Sequence, residues 1–356
     1  MAPLLSGLDT VECSYYLTPS STCTLDFVKL AALKESLRQS KKREPSKITL
    51  GDVDFFLQPH GSGSGFPFVI DNEDMTVEFG EFNQPSFYVT YRSFSLWHKG
   101  AALLHQQFLE WSQRMGLVAT RAEGLSRVDF SFDYSISFLD FTENDFVSLS
   151  AKDSQHRKDG KTQTFSFGKG DVVLRVYNKV AEINEKSKKT WFFDLWSGQS
   201  EHVWRIEWQV RKEILKRFGI HRFCDLFDGQ GDILRYLSHE HTTLRKPSAD
   251  SNRSRWPMHP LSVSLQTHID TLEAQGVYRE INRPELLNAR LMRIAISVQG
   301  YLKRIAAVDC VLHGKPMESN TDALRSLEYL LRKVHDPLTW KTDVRKRVDE
   351  INLGQW

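Results

Sequence analysis

Short runs rich in aromatic and β-branched residues, separated by Gly, Pro and Asn, recur along the first part of the chain and predict β-strands. These runs cover residues 9–17, 47–57, 75–80, 86–92, 125–134, 163–168, 171–178 and 202–211. Apolar residues at helical spacing predict helices over 25–41 and 96–115, and then near 178–187, 211–218 and 230–245. Together the two patterns favour an α+β fold, in which an antiparallel β-sheet is flanked by helices.

The pattern changes after residue 245. Residues 246–260 are polar, contain three prolines and show no periodicity, which predicts a linker or an extended surface segment. Residues 261–356 show helical spacing, clearest over 286–308 and 321–334, and are typical of a small helical region. The sequence therefore predicts a first domain over 1–245, a connecting segment over 246–260 and a helical C-terminal domain over 261–356.

Three of the predicted strands place their polar residues on one face, because successive side chains of a strand point to opposite sides. The polar sets are Arg127, Asp129, Ser131 and Asp133 on the first strand, Arg175 and Tyr177 on the second, and Arg205, Glu207, Gln209 and Arg211 on the third. A polar face that simply meets water would give the same alternation. Asp, however, is depleted in strands, so the two aspartates of the first strand need a further explanation.

Three carboxylates, Asp129, Asp133 and Glu207, are predicted to share this face. They would repel one another unless a divalent cation or the neighbouring arginines neutralised them. Oxygen ligands of this kind suit Mg²⁺ or Mn²⁺, the ions that polarise phosphates. Both interpretations remain open at this point.

Residues 175–179, R-V-Y-N-K, resemble the R-x-Y-N-K signature of the trans-acting replication initiators of rolling-circle plasmids. The order of three further motifs is similar to that family: R-V-D-F-S-F-D at 127–133, F-S-F-G at 165–168 and R-I-E at 205–207. The resemblance spans about residues 9–245, and residues 252–257 look like an extension of proteobacterial members from plasmids, phages or integrative elements. The chain departs from the family at Lys169, because Gly-Lys-Gly stands where Gly-Ser-Arg is usual.

The resemblance implies an HUH-like initiator or relaxase core that lacks the HUH motif. It implies that Tyr177 is the nucleophile of a metal-dependent DNA-nicking and closing enzyme, whose metal ligands are Asp129, Asp133 and Glu207. Such an enzyme nicks one strand of origin DNA, leaves a 5′-phosphotyrosine and frees a 3′ hydroxyl for rolling-circle replication. Domain 1–245 is then catalytic, and the implied partners are double-stranded and single-stranded origin DNA, a host helicase and a second copy of the chain.

Positive charge near Tyr177 is consistent with a DNA substrate. Arg175 and Lys179 are candidate catalytic cations, because a phenol with an ordinary pKa of about 10 needs its anion stabilised. Residues 152–189 contain ten Lys and Arg against five Asp and Glu, which predicts a phosphate-contacting surface. The predicted DNA-binding residues are Lys169, Arg205, Arg211, Lys212, Arg253 and Arg255.

Composition adds few constraints. The net charge is only +2, and the four cysteines form no C-x-x-C pair, so neither a zinc ribbon nor a disulfide framework is indicated. The lack of a signal-like start and of a long apolar run predicts a soluble bacterial cytoplasmic protein that makes no membrane contact. The pair His239 and His241 is interpreted as a solvated surface pair in a helix.

Two alternatives to an initiator remain. A relaxase of a mobilisable or conjugative element would use the same tyrosine chemistry. A non-catalytic DNA-binding protein with a degenerate site would retain the fold without the reaction.

Overall fold

The computed structural model describes residues 2–41, 43–150, 153–158, 161–272, 283–314 and 319–352, and forms two compact units, Met1–Glu280 and Ile281–Trp356. The strands within the described residues are β1 Leu5–Pro19, β2 Ser46–Leu50, β3 Val53–Leu57, β4 Phe68–Asp71, β5 Met75–Phe79, β6 Phe87–Tyr91, β7 Leu117–Ser135, β8 Phe146–Ser148, β9 Asp153–Lys158, β10 Lys161–Phe167, β11 Val172–Asn178, β12 Val203–Arg211 and β13 Thr242–Leu244. The α-helices within the same residues are α1 Phe27–Gln39, α2 Ser93–Lys99, α3 Ala101–Arg114, α4 Lys179–Glu182, α5 Phe192–Leu195, α6 Lys212–Arg217, α7 Phe223–Arg235, α8 Pro260–Ile269, α9 Arg283–His313, α10 Asn320–Val334 and α11 Trp340–Asn352.

Most of the strands form one antiparallel sheet. Within the described residues its order is β2-β3-β4-β5-β6-β1-β7-β12-β11-β10-β9, and β8 pairs separately with β13. The predicted α+β fold with an antiparallel sheet and flanking helices is confirmed. All the predicted strand runs fall on observed strands, whereas β4, β8, β9 and β13 were not predicted.

The run 47–57 is two strands and not one. Gly51 and Asp52 both have positive φ, of 55° and 64°, and close a tight hairpin between β2 and β3. Two consecutive positive φ angles match the right-handed twist of a hairpin, and Gly and Asp tolerate them better than other residues. The strand pattern continues across this turn, so periodicity alone did not reveal it.

The two faces of the central strands differ in chemistry, as the alternation predicted. The apolar residues of β7, β10, β11 and β12 join one large core with Leu104 and Phe108 of α3 and with Phe223 and Leu226 of α7. The opposite polar face is also covered, because every residue of β12 from 203 to 210 is buried. The interpretation of these strands as half-exposed, with a polar face in water, is therefore wrong for β12.

The first unit extends beyond the predicted boundary at residue 245. Leu261, Leu265 and Ile269 of α8 lie in the main core. Residues 246–260 form a loop that returns to the strand it leaves, since Arg245 bridges to Met258 and the His259 amide donates to the Leu244 carbonyl at 3.0 Å. The segment is thus a closed surface loop of the first unit and not a linker, and the predicted boundary at residue 245 falls inside that unit.

We expect residues 1–280 to fold alone and a chain cut after residue 245 to fail. The shorter cut removes the three core side chains of α8, each worth roughly 1.5–3 kcal/mol of burial, a loss comparable to the 5–15 kcal/mol that stabilises a typical domain. Thermal unfolding followed by circular dichroism would show a cooperative transition for 1–280 only. A cooperative transition in 1–245 would show that α8 is dispensable and would restore the predicted boundary.

The second unit is helical in its described part, which confirms the predicted C-terminal helical region. The long helix α9 packs against α10, where the Ser326 hydroxyl donates to the Asp309 carboxylate. Helix α10 begins at a Ser319 cap whose hydroxyl accepts from the Asp322 amide at 3.3 Å. In the described residues, no helix of either unit is long and apolar enough to cross a membrane.

Candidate active site

The polar residues of three adjacent strands lie side by side on one face of the sheet. In the antiparallel register, Tyr177 of β11 lies opposite Arg205 of β12, which lies opposite Asp133 of β7. The next row contains Arg175 and Glu207. The sheet therefore brings together the residues that the sequence analysis placed on one face.

Tyr177 and Glu207 are in direct contact. The half-buried phenol donates a hydrogen bond to Oε2 of Glu207 at 2.8 Å. Nη1 of Arg175 lies 3.3 Å from Oε1 of the same carboxylate, and its Nη2 donates to Gln209 Oε1 at 3.3 Å. The Arg175 side chain is 36% exposed, so this guanidinium links the buried carboxylate to solvent.

The phenol of Tyr177 is protonated at neutral pH. Burial raises its pKa well above the ordinary value of 10.0, the Glu207 charge raises it further, and the positive charge of Arg205 opposes both effects. A neutral phenol is a weak nucleophile, so reaction at Tyr177 requires a base to take its proton. Glu207 already accepts that proton in a hydrogen bond.

Arg205 is the centre of a buried charge network. It is fully buried, and its Nε and Nη2 donate to both oxygens of Asp133 at 2.6 and 2.9 Å. Its Nη1 donates to Oδ1 of Asp9 at 2.7 Å. The prediction that Arg205 binds DNA is wrong, because all three contacts hold the guanidinium inside the protein.

Aromatic side chains cover this network. Trp196 donates its indole N–H to Asp133 at 2.9 Å, and the Phe192 ring lies 4.4 Å from the Arg205 guanidinium. Trp97 of α2 donates to Asp9 at 3.0 Å and packs against Gly7. A Cβ at residue 7 would lie only 2.8 Å from the Trp97 ring, so a glycine is needed for this close approach.

Asp129 lies further along the same face and has its own arginine. Nε and Nη2 of Arg127 donate to its two oxygens at 2.8 and 2.5 Å. Burial raises the pKa of Asp129 to about 6, although Arg127 opposes that rise. Arg127 also donates to Glu12 at 3.0 Å, and Glu12 accepts from the Tyr88 hydroxyl at 2.6 Å.

The three predicted metal ligands do not fit a divalent ion as a set. Both oxygens of Asp133 accept from Arg205, both oxygens of Asp129 accept from Arg127, and Asp133 is 0% exposed. In the described part of the chain, no three His, Cys, Asp or Glu side chains are grouped so that they could hold a metal ion. The predicted metal site is therefore corrected: arginines neutralise Asp129 and Asp133, the alternative that the sequence left open.

Lys179 is close to Tyr177 but is buried. Its ammonium donates to Glu182 at 2.8 Å and lies 5.6 Å from the centre of the Tyr177 ring. Burial lowers the pKa of Lys179, as does the charge of Arg205. The side chain therefore contributes positive potential at the ring and, at 2% exposure, makes no surface contact.

The other predicted DNA-binding residues lie at the surface. Lys169 and Arg211 are exposed and Lys212 is half-buried. Arg253 donates to the Asn144 carbonyl at 2.6 Å, and Arg255 pairs with Asp250 at 2.9 Å. The guanidiniums of the loop 246–260 thus have partners within the first unit, and their contact with DNA stays a prediction.

Of the two histidines predicted to be solvated, His239 and His241, only the first is. His239 is exposed, whereas His241 is buried. Its Nδ1 is hydrogen-bonded to the Thr242 hydroxyl at 3.0 Å and its ring packs edge-on against Trp208 at 5.6 Å. Interpreting His241 as a solvated residue was wrong, because the short π-helix Tyr236–His241 places it against Trp208 on the apolar face of the sheet.

Asp9 and the two tryptophans that donate to the aspartates were not predicted from the sequence. The strand β1 changes register between Leu8, which pairs with Phe130, and Thr10, which pairs with Asp129, so Asp9 is an extra residue between the two pairs. Such a bulge re-aims a side chain and breaks the alternation from which faces are predicted. Burial opposes the ionisation of Asp9, yet the positive charges of Arg205, Lys189 and Lys179 hold its pKa below the ordinary value.

Comparison with known proteins gives a distant structural likeness. No protein-family model matches the chain, and no curated protein matches it. The chain is similar to the structure of a rolling circle replication initiator protein from Geobacillus stearothermophilus, with a TM-score of 0.44 and 15% sequence identity. The match covers 75% of this chain and 97% of that one.

Proposed function

We propose that this chain is a replication initiator that nicks one strand of origin DNA with Tyr177 as the nucleophile. The observation that carries the proposal is the hydrogen bond of 2.8 Å from the Tyr177 phenol to Glu207, beside the partly exposed Arg175. A phenol, a proton acceptor and an accessible cation are the groups that nucleophilic attack on a phosphodiester requires. The R-V-Y-N-K motif at 175–179 supports the same role.

The proposed step transfers one phosphoryl group. Oη of Tyr177 attacks the phosphorus, and its proton passes to Oε2 of Glu207. The bond from phosphorus to the 3′ oxygen breaks, which leaves the DNA 5′ phosphate on the tyrosine and a 3′ oxygen that takes a proton from solvent. The reverse reaction reseals the strand, because the phosphotyrosine retains the energy of the original bond.

Glu207 acts here as a base and not as a metal ligand. Its two oxygens hold Tyr177 and Arg175, so the carboxylate is fixed beside the proton that it must accept. Arg175 is the cation best placed to meet a phosphate, since Arg205 and Lys179 are buried. The requirement for Mg²⁺ or Mn²⁺ stays a prediction of the family resemblance, with ligands that the three predicted carboxylates do not supply together.

The remaining partners are part of the proposal. Lys169, Arg211 and Lys212 are accessible for contacts to the phosphates of origin DNA. Recruitment of a host helicase and pairing with a second copy stay predictions of the resemblance. A relaxase would use the same residues, and autonomous replication of a cloned origin, compared with its mobilisation, would separate the two roles.

We expect Glu207→Gln to lower the rate of nicking by roughly 10² to 10⁴. Glutamine keeps an oxygen that accepts from the phenol but takes no proton, and the pKa of Tyr177 is raised. The remaining activity should therefore rise about tenfold per pH unit, because the phenol must lose its proton to solvent. Single-turnover nicking of supercoiled replicon DNA between pH 6 and 9 measures both effects.

The matched control is Glu12→Gln. Glu12 also accepts from a tyrosine, Tyr88, and pairs with an arginine, Arg127, on the same sheet. Its amide variant should nick at the wild-type rate with an unchanged pH profile. Equal losses in both variants, or a Glu207→Gln enzyme with wild-type rate, would contradict the role of Glu207 as the base.

A further inference from the structure

Three aromatic rings meet beside the buried arginine network. Phe94 and His98 of α2 lie 4.3 Å apart, centre to centre, with their planes 30° apart. The ring of Trp191, one residue before α5, lies 5.5 Å from Phe94 and 5.3 Å from His98 at steep angles of 85° and 65°. We name these three residues the aromatic corner.

Short contacts connect the aromatic corner to Tyr177. The Lys179 ammonium lies 5.6 Å from the centre of the Tyr177 ring and 4.9 Å from that of Phe192. Phe192 stacks on Trp191 with 3.9 Å between ring centres. The Trp191 ring is therefore no further from the Tyr177 ring than the sum of these three distances, which a few nucleotides of extended chain can span.

The aromatic corner is accessible and bordered by positive charge. His98 is exposed, and Phe94 and Trp191 are half-buried, unlike the fully buried Phe192. Lys186, Lys188 and Lys189 precede Trp191 within a few residues and no acid separates them. Lys186 and Lys188 are exposed.

We infer that the aromatic corner binds unpaired DNA bases next to the scissile phosphate, with Lys186 and Lys188 contacting the strand's phosphates. Aromatic rings beside a basic segment are the combination that single-stranded nucleic acid requires, because bases stack on rings while cations neutralise phosphates. Stacking tolerates any base, so the corner would orient the strand and leave its sequence to other contacts. The inference rests on the proposed function, since it places the strand that Tyr177 attacks.

Positive charge decides between this partner and an apolar protein segment. Lys186 and Lys188 carry the charge that complements a polyanion such as DNA. Duplex DNA keeps its bases stacked inside, so it would use the lysines and leave the rings unused. Single-stranded DNA is the partner that uses both features.

The test measures the affinity of the full chain for a fluorescent 15-nucleotide oligothymidylate and for an abasic strand of the same length. Trp191→Leu keeps apolar contact with Phe192 but removes the stacking surface, so affinity for the oligothymidylate should fall roughly tenfold to a hundredfold. Affinity for the abasic strand should change less than about twofold. Lys188→Gln should lower the affinity for both strands by the same factor and reduce the salt dependence of binding by about one ion.

Two further variants keep the test decisive. His98→Ala alters an exposed side chain, so it should fold normally and weaken oligothymidylate binding selectively, even if Trp191→Leu proves unstable. Phe82→Ala removes an aromatic ring that is 89% exposed in the turn between β5 and β6, and it should bind both strands like the wild type.

Unchanged oligothymidylate affinity in both Trp191→Leu and His98→Ala would overturn the inference, and so would a wild-type chain that binds the abasic strand equally well. Adduct formation at Tyr177, measured on the same preparations, separates this failure from that of the proposed function. If the enzyme forms the adduct but the variants keep the wild-type affinities, the role of Tyr177 is supported and the role of the aromatic corner is rejected. If Trp191→Leu and His98→Ala selectively lose affinity for the oligothymidylate but the wild type forms no adduct, the role of the aromatic corner is supported and the nicking function is rejected.

Discussion

Tyr177→Phe is expected to abolish the covalent protein-DNA adduct that the wild type forms with a labelled single strand containing its origin. Phenylalanine keeps the ring and its contact with Lys179 but removes the oxygen that attacks phosphorus. Nicking should fall by many orders of magnitude, while the thermal unfolding temperature and DNA affinity change little. Denaturing electrophoresis shows the adduct, and peptide mapping identifies the modified residue.

Tyr88→Phe is the matched control, because Tyr88 also donates to a glutamate on the polar side of the sheet. Tyr134→Phe is a second control, since Tyr134 is fully buried on the opposite, apolar face, as the alternation predicted. Both variants should form the adduct. A nucleotide mapped to either of these tyrosines, or an adduct that persists in Tyr177→Phe, would refute the nucleophile. Label on the 3′ side of the break would keep the nucleophile and refute the polarity.

The second large effect concerns stability. Arg205→Met should lower the free energy of unfolding by about 3–5 kcal/mol, because it leaves Asp9 and Asp133 buried without their cation. Chemical denaturation measures the loss. Adding Asp133→Asn to the variant should recover part of it, since the removed charge no longer needs a partner.

Arg211→Met is the control for this prediction. Arg211 is exposed at the end of the same strand, so its replacement should change stability by no more than about 0.5 kcal/mol. If Arg205→Met unfolds like the wild type but binds DNA poorly, the original assignment of Arg205 to DNA binding would be correct and the buried network of little importance.

The stability loss of Arg205→Met should depend on pH. Arg205 and two lysines, against the opposing effect of burial, hold the pKa of Asp9 below its ordinary value. Its ionised form therefore stabilises the wild type above about pH 4, and that stabilisation is lost as the pH falls through the ordinary pKa of Asp towards the lowered one. The stability difference between wild type and Arg205→Met should accordingly shrink below about pH 4.

The sequence by itself determined most of the strands, most helices and the two faces of the central sheet. Side chains of a strand alternate whatever its neighbours are, so Tyr177, Arg175 and Glu207 could be assigned to one face before any contact was known. The helical C-terminal region followed in the same way from its spacing. These properties are local, and local backbone geometry fixes them.

Only the tertiary structure decided what the polar residues do. Alternation gives the face of Asp133 but not its partner, and the antiparallel register places Arg205 opposite it with both carboxylate oxygens occupied. The bulge at Asp9 and the return of α8 to the core depend on contacts between residues far apart in the chain. Whether a carboxylate binds a metal, an arginine or a phenol depends on which groups share its low-dielectric surroundings, and those groups come together only when the chain folds.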